Sequence, residues 1–130
     1  MIQYIAYNNL DYEKWDKCII GSVNGSVYAK SWYLDIVCEQ WDALVLNDYE
    51  AVMPLPKRKK WSLTYIYQPF MCQQIGVFHK QESYCVDDFI SAIPKEILHF
   101  NFNLNTHNSS TICVSRSNVN YLLPLDKNIE

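Results

Sequence analysis

The spacing of apolar and polar residues changes period several times along the chain, and the changes mark out its elements. Ile2 to Ala6 is a short apolar run that reads as a strand, broken by Asn8-Asn9. From Asp11 to about Ile20 the period is helical, with Tyr12, Trp15 and Ile19 recurring on one face. Asp11 can cap that helix, and Glu13 and Asp16 lie near its positive end. Gly21 and the pair Asn24-Gly25 end it. Ser31 predicts the N-cap of a second helix, running through Trp32, Leu34, Ile36 and Val37 to about Cys38.

The period then becomes extended. Trp41 to Leu46 reads as a strand, Asn47-Asp48 as a tight turn, and Tyr49 to Met53 as the hairpin partner, with Pro54 and Pro56 limiting the ladder. Lys57-Arg58-Lys59-Lys60 reads as a solvated connection, and Trp61 to Tyr67, rich in aromatic and β-branched residues, as another strand. Pro69 interrupts, and Phe70 to Phe78 forms an irregular extended segment. Val86 to Ile93 is helical in pattern, with Asp87 and Asp88 in its first turn, until Pro94. Phe100 to Asn105 alternates without a fault. That places Phe100, Phe102 and Leu104 on one face and Asn101, Asn103 and Asn105 on the other, wet one. Thr111 to Ser115 and Val119 to Leu125 read as a closing hairpin. Strands grouped between helices in this order give an α+β domain over residues 1–130 with a largely antiparallel sheet.

Composition narrows the class. At 130 residues, 49% hydrophobic and 15% aromatic, the chain can bury its own core as one domain and is not a disordered tail. A net charge of −3 argues against a DNA-binding protein that tracks phosphates. No apolar run approaches the ~20 residues of a membrane span. Three glycines argue against a Gly-rich nucleotide loop. The five cysteines are odd in number and widely spaced, and the N-terminus lacks a signal-peptide pattern, so reduced thiols in a cytoplasmic protein are expected.

Candidate chemistry is sparse. Trp32, Tyr33, Trp61, Tyr65 and Tyr67 combine an apolar face with a polar tip, which suits a groove for a sugar or peptide; with 10 Tyr and 4 Trp, core filling is the plainer account of any one. Gln68, Gln73 and Gln74 suit amide or carbohydrate recognition, against sheet-edge capping. Lys57 and Arg58 could hold a phosphate-bearing acceptor, against simple solvation. Cys72 and His79 are the nearest Cys-His pair, yet nothing around them resembles a nucleophile elbow, and no zinc spacing occurs.

Several stretches together resemble the first half of the FemAB-like (FemABX) branch of GNAT-type acyltransferases. These are Ser31-Trp32-Tyr33-Leu34-Asp35, Trp41 to Val45 followed by Tyr49 to Pro56, Tyr67-Gln68-Pro69-Phe70 with Gln73 to Phe78, and Asn120 to Leu125. The resemblance implies a GNAT-like half: a mostly antiparallel mixed sheet flanked by helices, in a bacterial protein. It implies acyl or aminoacyl transfer to the amine of a small or peptidoglycan-precursor-like acceptor. In that reaction the amine attacks the donor carbonyl directly, so catalysis is positioning. This half would shape the acceptor side and be inactive alone. The donor, acyl-CoA or an aminoacyl-tRNA, would be held by a second GNAT-like half, with no cofactor or metal in this chain. Trp32, Tyr33, Lys57, Arg58, Tyr67, Gln68, Gln73 and Gln74 become the expected substrate-binding residues, with no catalytic residue assigned. One departure stands out. The GNAT pyrophosphate motif is [RQ]-x-x-G-x-[GA], and Gln73 to Phe78 fits its first four positions before placing Phe78 where a small residue belongs. An alternative of a different class is a stand-alone, non-catalytic GNAT-like binding or dimerisation module using its sheet edge.

Overall fold

The chain is seen in a computed structural model that describes residues 1–80, 86–97, 99–105, 108 and 110. The closing hairpin expected over 111–125, with Cys113, lies outside the described residues, as does Cys85. Helix α1 (Tyr12–Gly21) starts where Asp11 predicts, with its side chain accepting the Lys14 N–H at 3.1 Å. Helix α2 (Ser31–Val37) starts differently from expectation. Ser31 is its first residue rather than its N-cap, and the cap position, Lys30, makes no side-chain bond. Asp16 of α1 takes over, accepting the Ser31 N–H at 2.9 Å and its hydroxyl at 2.6 Å.

Strands β1 (Ile2–Ile5), β2 (Gln40–Leu46), β3 (Ala51–Lys60) and β4 (Leu63–Ile66) lie side by side in that order, all antiparallel. The short β5 (Phe78–His79) also pairs with β3, opposite Ala51 and Val52, while β4 pairs with Lys57 to Lys60. Alternation along β2 sends Trp41, Ala43 and Val45 to one face and Asp42, Leu44 and Leu46 to the other. On the first face they pack with Trp15, Cys18 and Ile19 of α1 and Leu34 of α2. On the second, Leu44, Met53 and Leu55 pack with Val86, Phe89 and Ile90 of helix α3 (Val86–Ser91) and with Phe100, Phe102 and Leu104. The molecule is therefore α+β with an open antiparallel sheet covered on both faces. Trp15 anchors the first core: fully buried, its ring 5.0 Å from that of Trp41, its indole N–H donated to Ala29 O at 2.8 Å.

Four expectations need correction. The β2–β3 connection spans four residues, Asn47 to Glu50, because the register pairs Leu46 with Ala51. β3 runs straight through Pro54 and Pro56. Pro56 O accepts the Tyr67 N–H at 3.2 Å, so peptide groups at even positions of β3 face away from β2. Both proline nitrogens consequently point away from β2, so neither removes a bond from the β2–β3 ladder. The basic run Lys57 to Lys60 is not a connection but the end of β3, and Trp61-Ser62 form the turn to β4. Finally, the 100–104 stretch is not a continuous strand. It makes two isolated parallel bridges, Ile66 with Phe100 and Ile75 with Leu104. Its two faces follow the alternation until Asn105, which is buried and hydrogen-bonded to Asn24, Asn108 and the carbonyls of Ile75 and Val77.

Candidate functional site

Where β1 leaves the sheet and β2 enters it, a cleft of about 420 Å³ opens, lined among others by Tyr7, Asp35, Cys38, Glu39, Trp41, Asp42 and Lys57. A one-turn 3-10 segment, Tyr7–Asn9, follows β1 and folds one wall over the start of β2. The residue after α2, Cys38, and the solvent-facing Glu39 form the opposite wall.

Asp42 is the electrostatic centre. Its carboxylate sits in a strand position that is otherwise apolar, with only 4% of its side chain exposed. Lys57 Nζ lies 2.5 Å from Oδ2, the Tyr4 hydroxyl donates to the same oxygen, and the Tyr7 N–H donates to Oδ1 at 2.9 Å. Burial alone would raise the carboxyl, but the hydrogen bonds from Lys57, Tyr4 and Tyr7 outweigh it and hold Asp42 below the usual carboxylate range. The Tyr4 phenol is pushed well up, by burial first and by its bond to Asp42 second.

The outer wall repeats the pairing in a wetter setting. Asp35 accepts the Trp41 indole N–H at 2.9 Å, which fixes the ring edge against the cleft. Arg58 Nε is 3.3 Å from Glu39 Oε1, and its guanidinium lies over the Tyr67 ring at 4.2 Å. The Cys38 thiol also lines the cleft, but burial pushes it up to about 12, so at neutral pH it is a thiol and not a nucleophile. Burial likewise raises Cys72 to about 11. Among the described residues, no group of three or more His, Cys, Asp or Glu could hold a metal ion, and no helix is long and apolar enough to cross a membrane.

The residues expected from the sequence divide into two groups. Lys57, Arg58 and Tyr67 gather at this corner: Lys57 in the wall, Arg58 and Tyr67 behind it through Glu39. Trp32 and Tyr33 lie elsewhere on α2. Trp32 is 55% exposed, and the Tyr33 hydroxyl donates to Met71 O. Gln68, Gln73 and Gln74 belong to the 67–74 excursion between the two parallel bridges and bond to other parts of the chain, Gln73 Oε1 accepting the Tyr28 hydroxyl at 3.5 Å. Gln68 Oε1 accepts the Asn103 N–H at 2.7 Å and Nε2 donates to Cys72 O; Gln73 O accepts from Asn103 Nδ2 at 3.2 Å; Gln74 O accepts from Cys72 Sγ at 3.8 Å. The stretch Gln73 to Phe78 leads into β5 rather than a helix. Its Val77 N–H is already donated to Asn108 Oδ1 at 2.7 Å, and Phe78 is buried. Asp35, Glu39, Trp41 and Asp42 escaped the sequence reading. The one available signal was Asp42, a lone carboxylate inside Trp41-Asp42-Ala43-Leu44-Val45, where burial demands a partner.

No family model matches the chain, and no curated protein or solved structure matches it.

Proposed function

We propose that this chain is a GNAT-like half of FemAB type that receives the amine-bearing acceptor of an acyl- or aminoacyl-transfer reaction in the cleft beside Asp35 and Asp42. The observation that carries the reading is the composition of the cleft wall. Three carboxylates, Asp35, Glu39 and Asp42, share the lining with one lysine and with the rings of Tyr7 and Trp41. Lys57 neutralises Asp42 and Arg58 neutralises Glu39, which leaves Asp35 as the negative charge an ammonium group can approach. Aromatic edges beside it favour the aliphatic arm of such an amine. Transfer by direct attack of an amine asks the protein to orient the nucleophile, not to supply one. The un-ionised Cys38 is consistent with that division of labour.

The test is a titration of the 15N-labelled chain with the dipeptide L-Lys-D-Ala and with its Nε-acetylated form. The free amine is expected to shift the Trp41 indole N–H resonance, and Asp35→Asn to weaken that response at least fivefold. An equal response to the acetylated dipeptide, or none to either, overturns the assignment. Acetyl-CoA is expected to give no heat with the chain, because the Ile75 and Val77 N–H groups within Gln73 to Phe78 are already donated to Asn103 and Asn108.

A second reading rests on the sheet edge. β1 pairs only with β2 among the described strands, and Gln3 and Tyr4 are exposed on it. A non-catalytic module that dimerises through β1 would sediment as a dimer, and Gln3→Pro would return it to monomer.

A further inference from the structure

The far end of β3 and the first three residues of β4 project beyond β2. Lys57 is the last β3 residue paired with β2, opposite Gln40; Arg58, Lys59 and Lys60 pair only with Tyr65, Thr64 and Leu63 of β4. The result is a two-stranded ribbon closed by Trp61-Ser62. Lys60 pairs with Leu63, so the loop has two residues, and both have positive φ, 56° and 68°. That is the loop geometry that favours Asn and Gly. A tryptophan pays a steric cost there. Packing does not offset it, since Trp61 is 87% exposed. Leu63 beside it is 59% exposed. Arg58, Lys59 and Lys60 are all exposed, and the described ion pairs of the run involve only Lys57 and Arg58. A strained, unpacked aromatic at the tip of a cationic ribbon is therefore maintained by something other than folding.

We infer that the Trp61 ribbon docks the protein on a bilayer surface rich in anionic lipid. The charge sign fixes the partner's sign: a run of cations on a chain that is otherwise net negative meets an anionic surface and not a neutral one. The apolar pair fixes its physical kind. Trp61 and the neighbouring Leu63 offer an indole ring and an aliphatic side chain at one end, a combination that enters the headgroup boundary, where a tryptophan ring sits between water and acyl chains. The arrangement also suits the depth. Trp61 is four positions beyond Lys57, a rise of about 13 Å at the usual strand spacing. The tip can thus enter the interface while Lys59 and Lys60 remain at headgroup level and the helices stay in water. The inference stands on the ribbon alone and does not depend on what the cleft binds.

The experiment is sedimentation of the whole chain with vesicles of phosphatidylcholine and phosphatidylglycerol (7:3), with phosphatidylcholine alone as the comparison, at 0.1 and 0.5 M NaCl. Uptake by the anionic vesicles alone, weakened at high salt, is expected. Lys59→Gln and Lys60→Gln should each lower partitioning about fivefold, and Trp61→Gly about tenfold or more. Trp32→Ser, which removes an exposed tryptophan on α2, outside the ribbon, should change nothing. The melting temperature of Trp61→Gly should stay level or rise, since glycine relieves the positive φ, so lost binding cannot be misread as lost folding. Equal uptake by neutral vesicles, or undiminished uptake by Trp61→Gly, overturns the inference. So does indifference to both vesicles together with Trp61-dependent capture of a fluorescent oligothymidine, which would make the ribbon a nucleic-acid surface.

Discussion

The carboxylate of Asp16, in the second turn of α1, grips the first residue of α2, accepting the Ser31 N–H at 2.9 Å and its hydroxyl at 2.6 Å. Helix α2 is only seven residues long and has no capping side chain of its own. A helix that short is not stable by itself, so it depends on this cap and on Leu34 packing in the core. The same helix leads into Cys38 and Glu39 at the cleft. Asp16→Ala is therefore expected to cost about 1–2 kcal/mol in urea unfolding, and to loosen the cleft wall as well. Ser31→Ala leaves the N–H bond in place and should cost about 0.5–1.5 kcal/mol. Equal stability of Asp16→Ala and the parent chain would show that the helix is held by packing alone.

Asp42 makes stability depend on acid in a definite direction. Its carboxyl lies below its ordinary value in the folded chain and returns to it on unfolding. As pH falls, the unfolded chain takes up the proton first, so the contribution is complete above about pH 4 and drains away as pH drops through the lower, folded-state value. The Lys57 side chain keeps 25% of its surface in water, which trims the gain. Asp42→Asn should cost about 1–3 kcal/mol at pH 7 by leaving Lys57 poorly matched. Its stability should also decline less between pH 5 and 3 than that of the parent chain. Parallel declines would mean that other carboxylates dominate the acid limb.

Local chemistry was legible in the sequence, and contacts between distant segments were not. Asp11 capped α1 as its spacing predicted, because a cap and its helix are neighbours in the chain. Trp15 and Ile19 are buried, and α3 opens with Asp87 and Asp88 in its first turn. Ser31 misled because its partner is fifteen residues away, in another helix. Pro54 and Pro56 misled because their effect depends on which side of β3 each nitrogen faces, and that depends on the register with β2 and on where β4 and β5 stop. The cleft was missed for the same reason. Tyr4, Asp42 and Lys57 lie far apart in sequence and meet only through antiparallel pairing of three strands.

Gly76 tests how tightly the end of the 67–74 excursion is locked. Its φ is +113°, and a Cβ there would lie 2.4 Å from Asn108 Oδ1. That oxygen also accepts the Val77 N–H and a hydrogen bond from Asn105. An alanine would meet both an unfavourable backbone conformation and a polar atom that cannot retreat without breaking those bonds. Gly76→Ala should lower stability by about 2–4 kcal/mol, read as a fall in the urea midpoint. A cost below about 1 kcal/mol would show that Asn108 yields, and that the Asn24–Asn105–Asn108 cluster is softer than its hydrogen bonding implies.

Gln68 separates a scaffold role from a binding role. Between the bridges at Ile66–Phe100 and Ile75–Leu104 one segment needs eight residues where the other needs three, so the ladder has a gap. Gln68 fills it with a side chain: Oε1 takes the Asn103 N–H at 2.7 Å in place of a strand carbonyl, and Nε2 donates to Cys72 O, closing the excursion on itself. Gln68→Ala should cost about 0.5–1.5 kcal/mol and speed hydrogen exchange at the Asn103 amide. Gln68→Glu keeps an acceptor for Asn103 but loses the donor to Cys72, so it should preserve the Asn103 protection better than alanine does. Neither change touches the cleft wall, and the response of the Trp41 indole to L-Lys-D-Ala should stay within twofold of the parent. A larger loss with stability intact would return Gln68 to the acceptor site, where the resemblance to FemAB-like proteins placed it.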